Sequence, residues 1–203
     1  MKVAIVGGTG FVGSYIVDEL VNQGHQPVLL VRPGSECRVA QRELCILVGG
    51  EVQEMEALRK TLAGCDAAIY LIGILREDPG KGVTFDQLQY WNAKRTIDLA
   101  VEAGVPRFLL MSANGVKPEG TPYQSTKYRA EEHLMGTSLN WTIFRPSVIF
   151  GPPRGRMEFC TQLCEQIIKP PSLPPCFTMA FCPSKPGLFV LRLSTSKTWR
   201  PVS

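Results

Sequence analysis

The stretch "VAIVGGTGFVGSYIVDEL", residues 3 to 20, constrains the fold more than any other part of this 203-residue chain. Four apolar residues with strand character run into Gly7, Gly10 and Gly13, and a helical period follows at once. Gly7 permits the tight turn, Gly10 lets the backbone approach a pyrophosphate with no Cβ in the way, and Gly13 lets the helix lie close on the sheet. The amides at the helix start then face the phosphates. Without such a ligand, three glycines only weaken a helix start. The stretch therefore predicts a strand-turn-helix unit that binds a dinucleotide.

The remaining pattern extends that unit into a sheet. Short β-branched and apolar runs at 2–7, 27–31, 45–49, 67–72, 107–112 and 141–145 alternate with helical stretches near 11–22, 54–62, 84–103 and 123–136. Such alternation predicts an α/β fold, a Rossmann-type doubly wound parallel sheet with the dinucleotide across its carboxyl edge. In "TIDLAVEAGV" the residues Ile97, Ala100, Val101 and Gly104 fall on one predicted helix face, and Gly-Val-Pro stops the helix before the next strand.

The end of the second strand bears on which dinucleotide binds. An acid there pairs with the ribose diol of NAD, whereas an arginine accommodates the 2′-phosphate of NADP. Here the text is "VLLVRPGS", with no acid before Glu36. Arg32, with Ser35 as a second donor, favours NADP(H) over NAD.

Further on, "TPYQSTKYRAEEHL" (121–134) places Tyr123 and Lys127 four residues apart at the start of a helix, hence on one face. A free phenol titrates near pH 10 and is a poor acid-base catalyst at neutral pH, but an adjacent ammonium and a cofactor ribose lower it. Ser112 falls at the carboxyl end of the fifth strand, on the edge where open α/β sheets hold ligands. It is in a position to hydrogen-bond the oxygen that Tyr123 protonates.

Taken together, "GGTGFVG", "MSANGV" with "YQSTK", and "FRPSVIFGPP" resemble the short-chain dehydrogenase/reductase superfamily. Within it they resemble the atypical group that includes NmrA-like and epimerase/dehydratase-like proteins and the nucleotide-binding accessory subunit of respiratory complex I. The resemblance covers residues 1 to about 169. It implies an NAD(P)-dependent oxidoreductase with Tyr123 as general acid or base, Lys127 holding the ribose and Ser112 polarising the substrate oxygen. It also implies cofactor contacts from Thr9, Phe11 and Val12 within the turn, from Gly73 in "LIGIL", and from Pro146 near the nicotinamide. Asn92 matches the superfamily's helix asparagine within an altered motif, and Glu51 stands where an adenine-side aspartate is usual. The same group contains dinucleotide-binding proteins without turnover, which implies the alternative of an assembly factor or redox sensor associated with a redox complex.

Composition narrows the field. With 44% hydrophobic and 20% charged residues, the chain reads as an ordinary globular protein without a membrane span. Seven cysteines without C-x-x-C spacing predict reduced thiols in the cytoplasm. Cys160 and Cys164 read as small apolar residues on a helix over 157–168, and no metal site is expected. His25 and His133 read as solvated. "GILREDPGKGVTF" (73–85) reads as a polar loop at the ligand edge, either covering a small-molecule substrate or merely connecting.

The net charge of +4 is uneven: residues 1–150 carry fifteen basic and sixteen acidic residues, and the rest seven and two. The basicity belongs to the tail, and no nucleic-acid surface is expected. Residues 1–169 are predicted to form the dinucleotide-binding domain and 170–203 an irregular tail in place of a substrate domain. The final "LRLSTSKTWRPVS" lacks the segment the superfamily resemblance implies there. A shifted reading frame from about Ser172 accounts for that, and the expectation is a truncated chain.

Overall fold

The computed structural model describes residues 1–152 and 154. The helix over 157–168, Cys160, Cys164, the boundary at 169 and the frame-shifted tail lie outside the described residues.

Six short strands form one parallel sheet: β1 (Lys2–Val6), β2 (Gln26–Val31), β3 (Ile46–Gly49), β4 (Ala67–Tyr70), β5 (Arg107–Met111) and β6 (Asn140–Phe144), in the order β3-β2-β1-β4-β5-β6. Strand β1 pairs with β2 on one side and β4 on the other, so the chain reverses its winding between β1 and β4. At such a switch the connections leave to opposite faces and open a crevice beyond the strand ends. The helices are α1 (Phe11–Asn22), α2 (Met55–Leu62), α3 (Asn92–Glu102) and α4 (Pro122–Met135). The doubly wound sheet and all six strands match the sequence expectation. Among the described residues no helix is long and apolar enough to cross a membrane.

Alternation along each strand divides the core in two. Val3 and Ile5 pack with Leu29, Val31 and Val17 of α1, while Ala4 and Val6 pack on the other face with Leu58, Ile97, Phe108 and Leu134. Burial on both faces is why the strands read as nearly continuous apolar runs.

Two details depart from expectation. The helix predicted from residue 84 begins instead as a π-helical turn, Asp86–Trp91, which leads into α3. In α3 the buried stripe runs through Ala93, Thr96, Ile97 and Ala100, whereas Val101 is 41% exposed. The buried face keeps Ile97 and Ala100 of the predicted one and also includes Leu99.

Candidate active site

The site begins where β1 ends. Gly7 has φ +98°, a left-handed value that favours glycine. Its carbonyl accepts the Gly10 amide at 3.2 Å. A Cβ on Gly13 would lie 2.3 Å from the Gly7 oxygen and 2.7 Å from the Gly8 Cα, so α1 is seated on backbone that only glycine admits. Gly10 differs. A Cβ there would meet only the Gly7 oxygen, at 3.3 Å, and would otherwise occupy the crevice. Packing does not require glycine at this position, but a closely approaching ligand does. Gly10 also caps α1 without a side chain, and no acid occupies the first turn. The positive end of the helix therefore faces the crevice, the arrangement a pyrophosphate fits.

Beyond the strand ends lies an open cleft of about 880 Å³. Gly7, Gly10, Phe11, Val12, Gly13, Gly73, Ser112, Tyr123, Lys127 and Pro146 all line it. Sequence reading missed Arg76 and Asn114, which line it too. Thr9 and Arg32 are not on its wall. Arg32 is exposed just past β2, one strand outward from the switch, and accepts the Ser35 amide on its carbonyl at 2.9 Å. Glu51 spends its amide on Glu54 at 3.2 Å and does not line the cleft either.

Helix α4 is started by a capping box: Thr121 receives the Gln124 amide, and the Gln124 side chain receives the Thr121 amide at 2.9 Å. Pro122 sits in the first turn. Gln124 also donates to the Gly115 carbonyl at 2.9 Å, which ties the loop after Ser112 to the helix. With the helix start set, Tyr123 and Lys127 face the cleft one turn apart, with the Lys127 Nζ 5.8 Å from the Tyr123 ring centre.

Lys127 is only 6% exposed and donates to the Met111 carbonyl at 3.1 Å. Burial pulls its ammonium down to about 8, partly opposed by the negative charge of Glu131 one turn further on. Glu131 is fully buried and forms a two-pronged ion pair with Arg145, whose Nε lies 3.0 and 3.2 Å from the two carboxylate oxygens. This pair joins α4 to the chain just before Pro146.

Burial pushes the Tyr123 phenol up, and the Lys127 ammonium nearby is bonded to the Met111 carbonyl. Phe85, from the end of the polar loop, packs edge-on against the Tyr123 ring at 5.7 Å. That loop therefore both lines the cleft, through Gly73 and Arg76, and braces the tyrosine.

Ser112 is 4% exposed, and its amide is held by the Phe144 carbonyl at 2.8 Å. Among the described residues its hydroxyl and the Asn92 Nδ2 are buried side-chain polar atoms without a hydrogen-bond partner. An orphaned hydroxyl on the wall of a cleft is what a site for a polar ligand oxygen requires. Asn92, the first residue of α3, is fully buried, and its Oδ1 accepts from the Gln87 side-chain amide at 2.9 Å. The histidines stay outside the cleft, although His133 is not simply solvated: it bonds Asp98 at 2.5 Å and links α4 to α3.

Comparison with known proteins agrees with this geometry. Residues 7–163 match the NAD(P)H-binding family. The photosystem II assembly factor Ycf39 of Synechocystis is 31% identical over 71% of this chain and 44% of its own length. Ceramide reductase of Caulobacter vibrioides is 29% identical over 74% of this chain and 47% of its own. The chain thus spans less than half the length of these curated relatives. A solved structure from Bacillus halodurans, described as a candidate NAD-dependent epimerase/dehydratase, superposes with a TM-score of 0.63 at 29% identity. It covers 75% of this chain and 72% of that one. The chain belongs to the NAD(P)H-binding family.

Proposed function

We propose that this member of the NAD(P)H-binding family is an oxidoreductase of the atypical short-chain dehydrogenase type that prefers NADP(H) and acts on a small carbonyl compound or alcohol. The observation that carries the reading is the convergence of Ser112, Tyr123 and Lys127, from two elements, on the cleft that also receives the glycine turn. The dinucleotide, when bound, gives or takes a hydride. The chain's own residues do the rest. Tyr123 delivers or accepts the proton at the substrate oxygen, Ser112 offers its free hydroxyl to the same oxygen, and Lys127 holds the ribose. Gly10 and the start of α1 hold the pyrophosphate, and Arg32 with Ser35 receives the 2′-phosphate. The cytoplasm is the compartment this reading assigns, on seven cysteines without C-x-x-C spacing.

Tyr123→Phe should abolish turnover of NADPH with carbonyl substrates while leaving dinucleotide affinity within about twofold, since the phenol contributes to the chemical step and not to ground-state binding. Turnover that survives the substitution removes Tyr123 from the chemistry.

A second reading draws on the 31% identity with an assembly factor and on the raised Tyr123 phenol. In it the chain binds the dinucleotide without turnover and associates with a redox complex. A Tyr123→Phe protein that still supports assembly of its partner complex in cells favours this reading.

A further inference from the structure

Gln89 is 2% exposed within a π-helical turn, between the partly buried apolar residues Leu88 and Tyr90. A primary amide in such a place has to find partners. Its Nε2 donates to the Ile74 carbonyl at 2.9 Å, and its Oε1 lies 3.1 Å from the Thr126 hydroxyl. Those partners belong to two different walls of the cleft. Ile74 lies in the loop after β4, where Gly73, Ile74 and Arg76 line the cleft. Thr126 sits on α4 between Tyr123 and Lys127, and its hydroxyl also approaches the Pro122 carbonyl at 2.7 Å.

The turn that carries Gln89 is itself held. Tyr70, 1% exposed in β4, donates its hydroxyl to the Leu88 carbonyl at 2.6 Å. Burial pushes that phenol far up, so it stays a donor throughout the physiological range. A wide helical turn thus projects one polar side chain between the cofactor loop and the catalytic helix, and π-helical insertions recur at functional sites for this kind of reason. The two walls stand at contact distance: a Cβ on Gly73 would lie 3.5 Å from the Lys127 Nζ. Any drift of the loop changes where a ribose meets that ammonium.

We infer that Gln89 is a positioning residue that clamps the loop after β4 to the Tyr123–Lys127 turn of α4 and so sets the width of the dinucleotide cleft. The inference rests on the cleft's being a dinucleotide site. Gln89→Met fills the same space without either bond. It should bind NADPH about fivefold to tenfold more weakly by calorimetry, the scale of one lost hydrogen bond, and should speed amide exchange at residues 73–76. Thr126→Val should move affinity in the same direction and Thr126→Ser should restore it. The Gln89→Met/Thr126→Val double variant should be no weaker than Gln89→Met alone, because both cut one bridge. A folded Gln89→Met protein with unaltered affinity and unaltered exchange overturns the clamp. So does an additive double variant. Should Gln89→Met fail to fold, equal affinities of Thr126→Val and Thr126→Ser overturn it instead. If the unaltered protein binds no dinucleotide, the functional reading fails, and the exchange rates at 73–76 in the ligand-free proteins still decide the clamp.

Discussion

Replacing Lys127 with methionine should stabilise the protein while destroying its site. The ammonium is buried, and burial lowers it from its ordinary 10.5 to about 8. At 1.36 kcal/mol per pH unit, that difference is a penalty of about 3 kcal/mol carried by the charged folded state. The bond to the Met111 carbonyl returns about 1 kcal/mol. Lys127→Met removes both, for a net gain of about 2 kcal/mol at pH 7. Glu131 keeps Arg145 as its partner and is not left unpaired. Because the folded value lies below the unfolded one, the unfolded chain holds more protons between pH 8 and pH 10.5. Stability of the unaltered protein therefore rises with pH through that window and is lost again as pH falls through about 8. The variant lacks this slope, so its advantage should fade as pH approaches 10.5. Urea unfolding at pH 7, 9 and 10.5 measures both quantities, and calorimetry should show dinucleotide affinity lost. A variant less stable at pH 7, or one whose stability follows the same pH slope, refutes the burial argument.

The glycines of the turn separate packing from ligand approach. Gly13→Ala should cost about 1–3 kcal/mol in urea unfolding, because its Cβ collides with backbone. Gly10→Ala should leave stability within about 0.5 kcal/mol yet weaken dinucleotide binding about tenfold or more, equivalent to about 1.4 kcal/mol. Affinity that survives at Gly10→Ala would mean the crevice is not approached there. For the cofactor preference, NADPH should bind more tightly than NADH, and Arg32→Asp should shrink or reverse the difference, by about 1.5–3 kcal/mol for a charge-assisted contact. Equal affinities in the unaltered protein remove Arg32 from the preference.

How much of this was legible beforehand follows from the range of the interactions. Strands β1 to β6 and helices α1, α2 and α4 fall within a residue or two of their sequence positions, because periodicity, glycine placement and the Thr-Pro-Tyr-Gln helix start act over a few residues. Tyr123 and Lys127 were readable for the same reason, being one turn apart. Contacts between elements distant in sequence were not. The burial that lowers Lys127 and raises Tyr123 comes from β5, from Phe85 and from the packed face of α4, none of which an i+4 spacing encodes. Local propensity read the π-helical turn over 86–91 as ordinary helix, and the bonds that tie it to Tyr70 and to the Ile74 carbonyl reach across the fold. Pairing of Glu131 with Arg145 likewise needs α4 and the end of β6 side by side. Sequence by itself determined the parallel sheet, the glycine turn and the Tyr-Lys helix start, all set by short-range sterics and hydrophobic period. Tertiary structure alone decided which of those residues share one cleft and what charge each carries there, because solvation and Coulomb energy depend on neighbours that the chain brings together only on folding.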